Sequence, residues 1–259
     1  MVYGASGYTG RLVAELAVER GQHPVLAGRD VEKVAALATP LGLPYRIFDL
    51  HESDAVDEAL RGIDVVAHCA GPFSRTSDPM IEGCLRNGVH YLDITGEVDV
   101  FEATFTRDEQ ARNAGVVLLP GAGFDVVPTD CLAAMVAAEL PTATHLDLAF
   151  RTGGGISAGT VKSAFEGAGG GGRARIDGEL CSVPLGWRQR EVPFPAQRRT
   201  ATSLPWGDLS TAYRSTGIGN VTTYAAIPGM GVSSRVPTGR RSLLQYPVVQ
   251  RLGRAAIGK

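Results

Sequence analysis

Short apolar runs alternate with amphipathic stretches along the first half of the chain. The apolar runs have the length of buried strands, and the stretches between them repeat apolar residues every three to four positions, as helices do. Strands are predicted over 2–3, 24–27, 45–50, 64–70, 89–94 and 116–119, and helices over 11–20, 31–38, 53–61, 79–85 and 98–113. Such regular alternation with short connections indicates a parallel sheet with helices on both faces. The first half therefore predicts an α/β fold, a Rossmann-type doubly wound parallel sheet.

The pattern changes after about residue 130. Helical patterns are predicted over 130–139 and 157–166, and strands over 145–151, 173–176, 180–183 and 220–227. We therefore expect an NAD(P)-binding domain over 1–130 and a substrate or dimerisation domain of α+β type over 131–259. Because the first strand is short and the last residues show no closing element, we expect either a fragment truncated at its C-terminus or a misassigned start.

The composition is that of an ordinary globular protein, with 44% hydrophobic and 20% charged residues. A formal net charge of −2 provides no field that would attract nucleic acid, so no nucleic-acid partner is predicted. The absence of a signal-peptide pattern and of an apolar run of about 18 residues predicts a cytoplasmic protein. The four cysteines lack metal-ligand spacing, so we expect buried, reduced thiols and no metal site.

A glycine-rich turn, GASGYTG, joins the first strand to the first helix. Glycines allow a dinucleotide pyrophosphate to approach the backbone, and the helix that follows offers free N–H groups and the positive end of its dipole. A simple tight turn is the alternative interpretation, but the strand before the turn and the helix after it favour nucleotide binding. The predicted contacts come from Gly4, Ser6, Gly7, Tyr8, Thr9 and Gly10.

The end of the second strand predicts which dinucleotide binds. A site selective for NAD usually has an acidic residue here that bonds the ribose 2′-hydroxyl, but Gly28 occupies that position. The next residue, Arg29, can pair with a 2′-phosphate. NADP is therefore the predicted cofactor. NAD, with Asp30 on the ribose, is the less favoured alternative.

Other predicted site residues follow the later strands of the sheet, whose carboxyl ends form the ligand crevice. Asp49 would lie near the adenine, and the segment Ala70, Gly71, Pro72 and Phe73 would lie under the ribose and nicotinamide.

Candidates for proton transfer or carbonyl orientation come after the fifth and sixth strands: Asp93, Thr95 and Asp125, with Glu97 beside them. Each acidic residue could instead cap a helix or stabilise a turn. His68 and His90 lie at apolar strands, so we expect them to be core residues.

Three other motifs suggest different chemistry. The segment 155–159 fits the esterase pattern G-x-S-x-G, but all five histidines precede its serine. The same region fails the spacing of a nucleotide-triphosphate loop. Cys131, early in a predicted helix, could be the nucleophile of a semialdehyde-forming reductase, but its surroundings do not resemble that family.

Several segments resemble the saccharopine dehydrogenase-like NADP-binding family, most nearly its branch of trans-acting enoyl reductases. They read GASGYTGRLVAE, AGRDVEKV, AHCAGPFS, GVHYLDITGEVDVFE and PGAGFDVVPTDCLA. The resemblance implies a Rossmann domain, a second domain that supports substrate and often dimer contacts, and a reductase that transfers hydride. In mycobacterial members the substrate is a polyketide-derived enoyl chain presented in trans by a synthase. Family members are longer than this chain.

The function expected from these observations is hydride transfer from NADPH to a small-molecule or carrier-bound enoyl substrate, in a protein that could form a homodimer. One alternative is a lipid-associated, dinucleotide-binding protein without turnover. Another is a saccharopine-type imine reductase, for which Arg151 and Lys162 are the only plausible basic residues near the crevice. The basic stretch over 240–254 either packs on its own domain, as we favour, or rests on an anionic membrane surface.

Overall fold

The computed structural model describes residues 1–151 and 171–226. The chain forms two compact units. The first unit comprises Met1–Thr95 and Asp99–Phe124, and the second comprises Gly96–Val98 and the chain from Asp125 onward. The predicted division between residues 130 and 131 stays a prediction. Within the described ranges, no helix is long and apolar enough to cross a membrane.

The first unit contains a parallel sheet of the predicted type. Its six strands are β1 (Val2–Tyr3), β2 (Leu26–Gly28), β3 (Tyr45–Ile47), β4 (Val65–His68), β5 (His90–Asp93) and β6 (Leu118–Leu119). Their spatial order is β3-β2-β1-β4-β5-β6, and every neighbouring pair is parallel. The strand order therefore reverses between β1 and β4, which is where such sheets bind their ligands.

Helices cover both faces of this sheet. They are α1 (Tyr8–Glu19), α2 (Val31–Leu41), α3 (Ser53–Leu60), α4 (Phe73–Asn87), α5 (Val98–Phe105) and α6 (Asp108–Ala114). Val2 packs with residues of α1 and α2, whereas the next residue, Tyr3, packs with residues of α3 and α4. Successive strand residues point to opposite faces. The doubly wound Rossmann-type fold is thereby confirmed.

Two of the predicted helices have different bounds in the structure. The helix predicted to start at Pro79 begins at Phe73, with Pro79 in its interior. Its buried stripe, which includes Phe73 and Met80, runs past the proline, and this burial outweighs one missing backbone hydrogen bond. The helix predicted over 98–113 is two helices, because Arg107 has left the helical conformation and acidic residues favour a new N-terminus at Asp108.

The second unit is built on a mixed sheet. Its strands are β7 (His145–Arg151), β8 (Gly172–Ile176), β9 (Glu179–Val183), β10 (Gln189–Phe194), β11 (Gln197–Ser203) and β12 (Asn220–Ala226). The strand order is β10-β11-β12-β8-β9, and β7 pairs in parallel with β12. Residues of α7 (Val127–Glu139) and α8 (Asp208–Thr216) share a hydrophobic cluster with Leu148 and Val221. The predicted second α+β region is present, although β10, β11 and α8 were not predicted.

Candidate dinucleotide-binding site

The glycine turn has no room for side chains at two of its three glycines. Gly4 has a φ of +79°, and a Cβ on it would lie 2.8 Å from the backbone nitrogen of Ala70. A Cβ on Gly10 would lie 2.8 Å from the Cα of Ala5 and 2.9 Å from the carbonyl carbon of Gly4. Helix α1 can therefore start close to the end of β1 only because these residues are glycines.

Helix α1 begins at an exposed turn, with Gly7 and Tyr8 both exposed. Gly7 is the N-cap, and no side chain of the described residues caps the helix there. The first intrahelical bond runs from the amide of Arg11 to the carbonyl oxygen of Gly7, 2.9 Å away. The amides of Tyr8, Thr9 and Gly10 precede that bond, and an α-helix provides no partner for amides in these positions. Since the first turn holds no acidic residue, the helix dipole and these amides favour a bound anion.

The predicted loop after β4 lies directly beside this turn. Ala70 is the residue that a Cβ on Gly4 would strike, so the ends of β1 and β4 meet at the reversal in strand order. Pro72 is the N-cap of α4, and Phe73 begins the helix as a buried residue. The two halves of the predicted crevice, the glycine turn and the loop over 70–73, are thus brought together.

The acidic residue that could have bound the ribose is already engaged. The Asp30 carboxylate caps α2 by accepting a hydrogen bond from the Lys33 amide at 3.1 Å, and it also lies 2.7 Å from the Lys33 ammonium. The hydrogen bonds from Lys33 lower the pKa of Asp30. Arg29, by contrast, is exposed at the end of β2. This arrangement favours pairing of Arg29 with a 2′-phosphate over a ribose contact of Asp30.

Asp49 lies just beyond the end of β3. It is partly buried, and its carboxylate accepts a hydrogen bond from the amide of His51 at 3.0 Å. Burial raises the pKa of the Tyr3 phenol to about 12, and the negative charge of Asp49 adds to this while the positive charge of Arg29 opposes it. Both predicted adenosine-side residues therefore act electrostatically on the end of β1.

A row of polar side chains lies under the crevice, in the last register positions of three adjacent strands. Tyr3 pairs with His68, and His68 pairs with Asp93. His68 has no exposed surface, and burial lowers its pKa to about 3, so the imidazole is neutral. The prediction that His68 is a core residue is confirmed. His90 is exposed instead, and its Nδ1 accepts a hydrogen bond from the Val117 amide.

His68 is connected to the predicted cofactor loop through Thr76. The Thr76 hydroxyl donates a hydrogen bond to the carbonyl oxygen of Ala70 at 2.6 Å. The carbonyl oxygen of Pro72 lies 3.1 Å from the same hydroxyl. Having given its only proton to a carbonyl, Thr76 accepts from Nε2 of His68, 3.0 Å away. Thr76 was not among the predicted site residues, and only its position one turn after Pro72 could have indicated this role.

The three predicted catalytic residues have different surroundings. Asp93 is 1% exposed and Thr95 is fully buried, both in the first unit. Asp125 belongs to the second unit, where burial raises the pKa of its carboxyl group. Its backbone carbonyl accepts a hydrogen bond from the Trp206 indole. Their catalytic roles stay predictions.

The cysteines differ in exposure. Burial raises the pKa of Cys84 to about 12 and that of Cys69 to about 11, so both thiols are protonated at neutral pH. Cys131 is exposed on α7, where Leu132 and Met135 are exposed as well, so the expectation of buried thiols is wrong for this residue.

Other predicted features lie outside the described residues. They are the helix-like stretch over 157–166, the G-x-S-x-G segment, Lys162 and the basic stretch over 240–254.

A parallel sheet with a glycine turn at its strand-order reversal defines a Rossmann-type dinucleotide-binding unit. The family comparison agrees: residues 1–119 match the model of the saccharopine dehydrogenase NADP binding domain. This part of the chain belongs to that family of NADP-binding domains, and NADP is its cofactor. The family resemblance expected from the sequence is confirmed.

Known relatives support this assignment. A saccharopine dehydrogenase-like oxidoreductase of Bos taurus is 33% identical over 150 residues, covering 50% of this chain and 35% of the relative. A trans-acting enoyl reductase of Mycobacterium leprae is 33% identical over 138 residues, covering 50% of this chain and 33% of the relative. The matched region thus spans about a third of the length of these relatives.

A solved structure shares the fold over most of the chain. Saccharopine dehydrogenase (L-Glu forming) from Saccharomyces cerevisiae superposes with a TM-score of 0.62 at 15% sequence identity. The match covers 86% of this chain and 54% of the yeast chain. The chain therefore shares its fold with yeast saccharopine dehydrogenase over most of its length.

Proposed function

We propose that this chain is part of an NADPH-dependent reductase whose substrate is an enoyl compound, either a small molecule or a carrier-bound chain. The observation that carries the cofactor half is the uncapped N-terminus of α1, which starts at the exposed residues Gly7 and Tyr8 in a turn whose first glycine, Gly4, contacts Ala70 of the loop over 70–73. The substrate half is supported by the similarity to a trans-acting enoyl reductase. NADPH, when bound, supplies the hydride.

The residues at the crevice fit the cofactor that the family implies. A Cβ at Gly4 or Gly10 would fill the space where the backbone closes under a pyrophosphate. The α1 amides would hold the pyrophosphate, and Arg29 would pair with the 2′-phosphate. Thr76 and His68 would fix the loop over 70–73 against which the nicotinamide ribose rests.

Cofactor selectivity tests the role of Arg29. We expect Arg29→Ala to weaken NADPH binding by about 10- to 100-fold, the loss of one charge-assisted contact, and NADH binding by less than about 3-fold. Isothermal titration with both dinucleotides measures this difference. Arg112→Ala is the matched control, because Arg112 is an exposed arginine of the same unit on α6. Equal losses for NADPH and NADH would remove the basis for the 2′-phosphate contact.

Turnover tests the reaction. Oxidation of NADPH, followed at 340 nm with trans-2-enoyl thioesters of increasing chain length, should be saturable and should yield the saturated acyl product. The assay is best made on a protein with the length of the curated relatives, because the chain spans only about a third of them. Absence of turnover across chain lengths, with NADPH bound, would contradict the enoyl reductase proposal.

A second function is a dinucleotide-binding protein without turnover. It is favoured by the burial of Asp93 and Thr95, because neither side chain of these two candidates offers surface to a substrate. NADPH binding without oxidation in the same assay would support this second function.

A further inference from the structure

Asp93 gathers backbone donors from two separate loops. Its Oδ1 accepts hydrogen bonds from the amide of Thr95 at 3.0 Å and from the amide of Gly121 at 2.8 Å. Its Oδ2 accepts from the hydroxyl of Tyr91 at 2.7 Å. The backbone carbonyl of Asp93 accepts a further bond from the amide of Ala122 at 2.7 Å. One residue at the end of β5 thus contacts the loop after β5 and the loop after β6.

These two loops approach each other closely at Gly121 and Thr95. Gly121 has a φ of +73°, and a Cβ on it would overlap the Phe101 ring and lie 3.3 Å from the carbonyl oxygen of Thr95. Thr95 and Gly121 are both buried. A buried amide without an acceptor costs about 1–3 kcal/mol, so removing the carboxylate would force the loops apart or admit water.

The same contacts make Asp93 unsuited to proton transfer. A general acid or base must come within about 3 Å of the reacting atom, directly or through one water. Asp93 is 1% exposed, and both of its carboxylate oxygens are acceptors for groups of the protein itself. A proton on Oδ1 would point at the two amide N–H groups that already donate to that atom, so this oxygen is poorly placed to take up a proton.

We propose that Asp93 is a positioning residue of the crevice: it fixes the backbone of Thr95 and Gly121 and exchanges no proton with the substrate. Asp93 ends β5, the strand next to β4, so the loops it holds leave the edge of the sheet at which nicotinamide and substrate are expected to meet. The inference deepens the proposed reductase function and replaces the catalytic role predicted for this aspartate.

The test compares two substitutions of similar size. In Asp93→Asn the amide oxygen can accept from both backbone N–H groups, so the two contacts to the loops survive without an ionisable group, and only the Tyr91 hydroxyl loses its carboxylate acceptor. In Asp93→Leu no acceptor remains. Amide hydrogen exchange over residues 94–96 and 120–122 reports the loops directly and needs no substrate. We expect Asp93→Asn to exchange within about 3-fold of the parent protein and Asp93→Leu at least about 10-fold faster, as for the loss of one buried hydrogen bond.

Turnover of the active reductase separates positioning from catalysis. Asp93→Asn should keep kcat within about 5-fold with an unchanged pH profile, whereas loss of a proton-transfer group typically costs about 10²–10⁴-fold. A loss of that size in Asp93→Asn, with loop exchange unchanged, would overturn the proposal. Unchanged exchange in Asp93→Leu would overturn it too.

Two further controls keep the result interpretable. If Asp93→Leu does not fold, Asp93→Ser serves, because its shorter hydroxyl cannot reach both amides, and the same faster exchange is expected. NADPH titration of the parent protein is made first, since failure to bind would refute the proposed function while the exchange data would still decide what Asp93 holds.

Discussion

The two units bury their polar groups in different places. In the first unit, the polar row of Tyr3, His68 and Asp93 lies at the carboxyl ends of parallel strands, under the predicted ligand crevice. In the second unit, one buried carboxylate joins two helices: the Thr129 hydroxyl of α7 donates to the Asp208 carboxylate at the start of α8, 2.6 Å away. The polar row of the first unit thus lies at the loops of the predicted crevice, whereas the Asp208 contact of the second unit joins α7 to α8.

The units also bury titratable groups of opposite kind. Burial lowers the pKa of His68 to about 3. In the second unit burial raises the pKa of Asp208 to about 7, the Thr129 hydroxyl opposes this rise, and the nearby charge of Asp130 adds to it. Both shifts favour the neutral form, so acid destabilises the first unit through His68, base destabilises the second through Asp208, and the two units should respond to pH in opposite directions.

The largest expected effect is on the glycine turn. Gly10→Ala places a methyl group against the backbone of Gly4 and Ala5, which cannot move without separating α1 from β1. We expect NADPH affinity to fall by at least about 100-fold, since the pyrophosphate amides lose their alignment. Calorimetric titration measures this loss. Gly21→Ala is the control for destabilisation alone: its φ of +71° makes an alanine strained there, but the glycine has open space around it and lies at the far end of α1, so NADPH affinity should be unchanged. A Gly10→Ala protein that binds NADPH normally would show that the turn does not hold the phosphates.

Asp208→Asn tests the second unit. A carboxyl group whose folded pKa is raised destabilises the fold progressively as pH rises from about 4, its unfolded value, to about 7. Asn removes this penalty, so at pH 8 we expect the free energy of unfolding to rise by on the order of 4 kcal/mol, less any weakening of the Thr129 contact. Urea denaturation at pH 5 and pH 8 measures it. Glu139→Gln, at an exposed residue of α7, is the control. If Asp208→Asn raised the free energy of unfolding equally at both pH values, the raised pKa would not be the cause.

His68→Phe tests the first unit in the opposite direction. A histidine whose folded pKa is depressed contributes stability that is present above pH 6.5 and is lost as pH falls toward 3. Phenylalanine fits among the rings of Tyr3 and Phe73 and cannot be protonated. We expect the variant to be more stable than the parent protein at pH 4, by on the order of 3 kcal/mol. Urea denaturation at pH 4 and pH 7 measures this gain in stability. A variant whose stability depends on pH as that of the parent protein does would show that protonation of His68 does not cause the loss of stability at low pH.

The smallest effect concerns the loop over 70–73. Thr76→Val removes the donor to Ala70 and leaves Nε2–H of His68 without an acceptor, so we expect NADPH affinity to fall by about 3- to 10-fold. Thr76→Ser keeps the hydroxyl and should bind as the parent protein does. Fluorescence titration with NADPH distinguishes the two variants, and equal affinities for both would indicate that this hydrogen bond does not set the loop.

The first unit could be predicted from sequence because its signals are local. Apolar strands, the glycine turn and the Gly28–Arg29 pair each lie within a few residues, and the strand alternation determines the sheet. The errors there concern packing: the buried stripe of α4 continues past Pro79, and Thr76 matters only because it lies near His68 and Ala70.

The second unit was harder to predict because its elements depend on distant contacts. The strands β10 and β11 read QREVPF and QRRTATS, with too few apolar positions to alternate clearly, and every residue of β10 pairs with a residue of β11. Helix α8 reads DLSTAYRST, a weak helix former, yet Leu209 and Ala212 are completely buried in the cluster that α7 completes.

The central claim is that the first amides of α1 bind the dinucleotide pyrophosphate. Backbone amide NMR of the full chain, titrated with NADPH, tests it most directly. We predict saturable shifts of the Tyr8, Thr9 and Gly10 amides, with the amides of α6 unchanged. Saturable binding that leaves these three amides unmoved, or no binding at all by the folded protein, would contradict the account.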